Sequence, residues 1–155
     1  MVAIVNKAPK QMGLAAILDA FLAHREDVVL RRSRYVLAQK EKRAHIVEGL
    51  IRAVSILDEI IAVIRASKNK ADSKKNLIER FGFTEAQAEA IVMLQLYRLS
   101  NTDILELEKE AAALQKEMKF LQGILESRAK RHKLMAKELT AIKEEFGQER
   151  RTVIE

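Results

Sequence analysis

The sequence predicts an all-α protein: a long antiparallel coiled-coil hairpin capped by a small helical dimerisation head, with a short strand remnant at its N-terminus. Three observations predict it. The 155 residues hold only five Gly and one Pro, and Ala, Leu, Ile, Glu, Lys and Arg dominate, the composition of long helices. Two extended stretches repeat apolar residues at alternating three- and four-residue steps. Between those stretches, polar clusters and capping residues mark the ends of shorter helices.

Taken in order, Val2–Val5 reads as a short strand, and residues 6–13, which hold the only proline, read as a turn or loop. Four residues cannot stand alone as a strand, so its sheet partners are expected to be missing from this chain. From Leu14 to Ala66 there is no proline and one glycine, Gly49, which predicts a single helix of roughly 80 Å. Leu14, Ile17, Leu18 and Phe21 begin its apolar face. The stretch from Arg31 to His45 is highly polar. Beyond it, Val47, Leu50, Val54, Leu57, Ile61 and Ile64 form one stripe and Ile46, Ala53, Ile56, Ile60 and Val63 a second. Two stripes mean cover on most sides, so this end belongs inside a globular cluster.

Ser67–Lys70 is a polar break. A short helix comes next with Leu77, Ile78 and Phe81 facing inward, and Gly82 stands where a left-handed cap belongs. Thr84 and Gln87 make a capping box for a helix that buries Ala88, Ile91, Val92 and Leu94. After a second cap region at 100–103, where Asp103 can box with Glu106, comes the most regular seam: Ile104, Leu107, Ala111, Leu114, Met118, Leu121, Leu125. Continued in phase, it runs through Arg128, His132, Met135, Leu139, Ile142 and Phe146. The polar stretch 126–133 predicts a break or kink there, with Ser127 as the cap of the last helix and Gly147 as its end. The polar middle of the first helix is the expected antiparallel partner of residues 120–146. The resulting divisions are residues 1–30, 31–50 (ascending helix), 51–119 (head), 120–147 (descending helices) and 148–155 (tail).

Composition narrows the function classes. There is no cysteine, hence no disulfide framework and no thiolate metal site, which fits a reducing, intracellular setting. No apolar run approaches the roughly 20 residues of a membrane span, and the N-terminus lacks the layout of a signal peptide. The formal charge of +6 permits contact with nucleic acid without implying it.

No catalytic, cofactor or metal constellation is legible. His24, His45 and His132 are scattered, and neither a phosphate-cradling loop nor a dinucleotide fingerprint is present. Asp58-Glu59 reads as a solvated face rather than an acidic pair. His45 reads as a surface histidine rather than a junction contact. Tyr35, among arginines on a solvated helix, lacks the pocket and the positioned acid that a nucleophile needs. The basic run 31–43 reads as a coiled-coil exterior whose stems cover the seam, with phosphate contact as the rival reading. The run 91–99 is more apolar than one buried face requires. Internal packing and a second molecule are equally good accounts of it. On the second, Ile91, Met93, Leu94, Leu96, Tyr97 and Leu99 form a dimer interface, since Met and aromatics are enriched in such patches.

Five ordered segments then carry a resemblance across essentially the whole chain: Arg43-Ala-His-Ile-Val-Glu-Gly-Leu50, Ile64-Arg-Ala-Ser67, Phe83-Thr-Glu-Ala-Gln-Ala-Glu-Ala-Ile91, Leu96-Tyr-Arg-Leu99 and Glu149-Arg-Arg-Thr152. In this order they resemble bacterial type IIA topoisomerase A subunits. Residues 92–103 are similar to the topoisomerase IV branch of Gram-positive bacteria, with the gyrase branch as the alternative. The resemblance implies the end of a tower region at 1–13, a stalk around 30–50 and 120–146, and a head that forms the exit gate for DNA, where two A subunits meet. It implies a cytoplasmic, ATP-dependent strand-passing enzyme that acts on double-stranded DNA with an ATPase-bearing B subunit. The enzyme's Mg2+ and ATP would bind other regions. The family's catalytic tyrosine lies upstream, and neither Tyr35 nor Tyr97 matches its motif. The chain is therefore expected to be an excised piece, with no catalytic residue, cofactor or metal of its own. A stand-alone coiled-coil dimeriser is the remaining alternative.

Overall fold

A computed structural model describes residues 1–93, 101–149 and 151–152, with the side chains of 101 and 102 left aside. Among these residues the protein is all-α apart from one small sheet. Strands β1 (Val2–Val5) and β2 (Ala8–Gln11) precede helices α1 (Leu14–Ser55), α2 (Leu57–Ala66), α3 (Lys70–Phe81), α4 (Glu85–Met93), α5 (Asn101–Glu126) and α6 (Arg128–Phe146). The chain divides into two compact units, one of residues 1–36 and 121–155, the other of residues 37–120.

In the first unit, the expectation of an orphan strand is corrected: β1 pairs with β2 in antiparallel register, Val2 opposite Gln11 and Val5 opposite Ala8. The connection is two residues long, and both Asn6 and Lys7 have positive φ, 53° and 67°. That is the geometry of the tight hairpin turn whose twist suits paired strands. Pro9 is tolerated because β2 has only one neighbour in this sheet, and an edge strand need not donate on both sides. Elsewhere in this unit Val29 of α1 is fully buried against Ile124 and Met135, with Leu134 alongside.

In the second unit the core joins Leu50, Ala53, Ile60, Val63, Leu77, Phe83, Ala88 and Ile91. The two stripes read from the sequence thus converge on the short helices α2–α4. A second cluster sets Ala44 and Val47 of α1 against Leu114 of α5, flanked by Leu107, Ala111 and Met118. Ascending positions of α1 meet descending positions of α5: Lys40 pairs with Glu117 and Arg43 with Glu110. Within this unit the two helices are therefore antiparallel.

The expected single helix from 14 to 66 breaks once, at Ile56, whose φ/ψ of −124°/36° leaves the helical region. The Ser55 hydroxyl donates to the Arg52 carbonyl at 2.7 Å, a local bond that competes with the helical ladder. Asp58 and Glu59 lie exposed in the first turn of α2, where negative charge suits the helix dipole. Four of the caps read from the sequence are present, while the cap region at 100–103 lies partly outside the described residues. Gly82 closes α3 at φ 67°, donating its N–H to the Ile78 carbonyl. Thr84 and Gln87 exchange capping-box bonds of 3.2 and 3.4 Å. Ser127 caps α6 and Gly147 ends it.

Candidate functional site

The candidate interface begins at the C-terminal end of α4. Its approach is fixed by the capping box, which holds α4 against α1. Gln87 Nε2 donates to the His45 carbonyl at 2.8 Å, and His45 Nε2 lies 2.8 Å from Thr84 Oγ1. The close approach needs Gly49, because a Cβ there would stand 2.6 Å from Gln87 Cγ. His45 is exposed, as a surface histidine is expected to be, and also takes part in the contact between α1 and α4. Arg52 adds a bond to the Phe81 carbonyl at 2.8 Å and lies over the Phe83 ring at 5.0 Å from its centroid.

From this anchored start, α4 presents two of the six predicted interface residues in opposite directions. Ile91 is 1% exposed and belongs to the core, whereas Met93, two residues on, is 61% exposed. Leu94, Leu96, Tyr97 and Leu99 lie outside the described residues, as does any contact they make.

The basic run is largely paired with acids. In the first unit Arg31 bonds Asp27 at 2.8 Å, and Arg32 shares Glu138 with Arg25. In the second, Arg43 makes a two-pronged pair with Glu110, 2.7 and 2.9 Å, and Lys40 reaches Glu117. The Arg43 hydrogen bond holds the Glu110 carboxyl below its ordinary range against the opposing effect of burial, and the same pair raises Arg43. Tyr35 is 68% exposed on α1. Among the described residues no group of His, Cys, Asp or Glu is placed to hold a metal.

One cluster was invisible to the seam. The unbroken phase puts Arg128 and His132 inward, yet in the structure both are exposed, with side-chain exposures of 72% and 54%, while Ile124 and Arg131 turn in instead. Arg131 Nε donates to Glu26 of α1 at 3.0 Å, and its Nη1 reaches the Ile124 and Leu125 carbonyls at 3.1 and 3.0 Å. Arg128 and His132 stand 3.4 and 3.6 Å from the same carboxylate. The Arg131 bond above all, then the neighbouring positive charge, holds Glu26 below the usual carboxylate range, partly offset by burial. The seam's far end also departs from expectation: Ile142 and Phe146 are exposed.

The ordered segments resemble one class, the A subunits of bacterial type IIA topoisomerases, and comparison with known sequences bears that class out. The family profile for the A subunits of DNA gyrase/topoisomerase IV matches residues 1–140, and the chain belongs to that family. It is 52% identical over all 155 residues to the DNA topoisomerase 4 A subunit of Streptococcus pneumoniae serotype 4, where it covers 19% of the relative's length. Over the same span and share it is 54% identical to the corresponding protein of Staphylococcus epidermidis and 52% to that of Bacillus subtilis. The chain therefore spans about a fifth of the length of the curated relatives it matches.

Proposed function

We propose that this chain is the structural and gating segment of a topoisomerase IV A subunit, the exit gate that keeps two A subunits together and opens to release the transported duplex during ATP-dependent double-strand passage. The observation that carries the reading is the end of α4: an anchored helix turns Met93 outward and leads directly into the apolar run 94–99. Met93, Leu94, Leu96, Tyr97 and Leu99 form the surface at which two copies meet, while Ile91 supports it from within. The chain's residues bind, hold and release. The partners are a second copy of the chain's own subunit, the ATPase-bearing B subunit, then, transiently, double-stranded DNA, in a cytoplasmic enzyme. Mg2+ and ATP act through other regions. Residues 31–50 and 120–147 serve as the stalk of residues 51–119.

The absence of cysteine from the sequence supplies the test. Met93→Cys introduces a unique thiol, and mild oxidation is expected to give a cross-linked dimer on a non-reducing gel. A variant that is folded yet stays monomeric under oxidation, while an exposed control such as Tyr35→Cys behaves identically, would remove the gate surface from this place. Direct nucleic-acid binding by residues 31–43 is the weaker reading, since Arg31, Arg32, Lys40 and Arg43 are engaged with carboxylates. Binding to duplex DNA is expected to be weak, unselective and steeply reduced by salt. A tight, sequence-selective complex would favour that rival.

A further inference from the structure

We propose that the break between α5 and α6 is a two-state joint, held in its broken state by the Arg131 guanidinium, which stands in for two backbone N–H groups. The interruption is confined to one residue. Ser127 N still donates to the Gly123 carbonyl and Arg131 N to the Ser127 carbonyl, both at 3.1 Å. With α5 ending at Glu126 and α6 starting at Arg128, the bonds lost are those that the N–H groups of Arg128, Ala129 and Lys130 would make four residues back.

Side chains replace them. The carbonyls of Ile124 and Leu125, which the Arg128 and Ala129 N–H groups would reach in an unbroken helix, accept instead from Arg131 Nη1. The Lys130 N–H donates to Ser127 Oγ. The guanidinium is held in place by Glu26, with side-chain exposures of 12% for Arg131 and 16% for Glu26.

The polar stretch and Ser127 mark the break in the sequence, yet no helix-breaking residue imposes it. Residues 124–146 contain neither Pro nor Gly, and Arg, Ala and Lys are good helix formers. Ser127 alone is extended, at φ −112° and ψ 115°, a conformation it can exchange for a helical one without strain. The unbroken seam would turn Arg128 and His132 inward, and both already stand within 4 Å of Glu26. The carboxylate thus has a cation available in either state. Three backbone bonds on one side face a similar number of side-chain bonds on the other, the condition for a switchable element. The joint would exist whether or not the chain works as a gate.

The test is local and uses the whole 155-residue chain. In the wild type, the Ser127 13Cα shift is expected on the extended side, with fast amide exchange at Arg128 and Ala129. Arg131→Met keeps the apolar stem and removes the surrogate donors. It is expected to move the Ser127 shift to the helical side and to slow exchange at Arg128 and Ala129 about tenfold or more. Arg131→Lys keeps the charge for Glu26 but cannot reach both carbonyls in the same way, and is expected to shift both readouts in the same direction by less. A folded Arg131→Met chain whose Ser127 stays extended and whose two amides stay unprotected overturns the proposal. So does loss of the fold in both variants, which would make Arg131 a structural support of one state rather than a selector between two.

Discussion

Gly49 lies within α1, and the space its missing Cβ leaves is filled by Gln87, whose amide is tied at both ends to Thr84 and His45. A pinned side chain cannot step aside, so Gly49→Ala is expected to destabilise the chain by about 1–3 kcal/mol as overpacking, despite the better helix propensity of alanine. Thermal unfolding measures it, and Gln87→Ala in the same chain should recover much of the loss. The capping box is legible in the sequence because its signal is two residues at fixed spacing. Its docking on α1 is not, because His45, Gly49 and Gln87 are brought together only by packing. Glu26 and Glu110 carry a pH prediction. Both carboxyls are depressed in the folded chain, chiefly by hydrogen bonds from Arg131 and Arg43. The stability they contribute is therefore complete above the unfolded glutamate value of about 4.3 and is lost as pH falls through the lower folded values. The melting temperature should decline over that acid window, and Glu26→Gln together with Glu110→Gln should lower it near neutrality while flattening the decline.

Among the elements, those with local signals are legible in the sequence and those decided by long-range contacts are not. The periods of α1, α3 and α5 and the caps at Gly82, Thr84, Ser127 and Gly147 rest on residues a few positions apart, and the structure holds them where the spacing puts them. The β-hairpin is hidden because Pro9 reads as a loop, although an edge strand accepts it, and because Asn6-Lys7 is a weaker turn signal than a pair containing glycine. The break at Ile56 is hidden because no Pro or Gly marks it. The seam holds to Leu125 and again at Met135, but not around 128–132, where Arg131 turns in and Arg128 and His132 are exposed. Two substitutions test element ends. Gly82→Ala forces an L side chain to φ 67° and should cost about 1 kcal/mol. Ser127→Ala removes the α6 cap and favours helix at that position, so it should disfavour the broken state while costing the chain less than Gly82→Ala. Chemical denaturation reads both, and a neutral Gly82→Ala would mean that α3 ends by some other means.

Across the whole molecule, the structure resolves two compact units, 1–36 with 121–155 and 37–120. The stalk and head divisions at 31–50, 51–119 and 120–147 are expectations from the sequence, and the gate role proposed for the head rests on the family segments rather than on periodicity. Periodicity alone leaves 91–99 balanced between internal packing and a second molecule. With Ile91 in the core and Met93 outside it, the end of α4 has a face for each. The central claim is that two copies meet there, and sedimentation equilibrium of the wild-type chain against Leu94→Glu with Tyr97→Glu tests it most directly. A dimer is expected for the wild type at tens of micromolar, roughly the range in which a modest apolar interface holds, and a folded monomer for the double variant. A wild-type chain that stays monomeric at high concentration, or a folded double variant that remains fully dimeric, would contradict it.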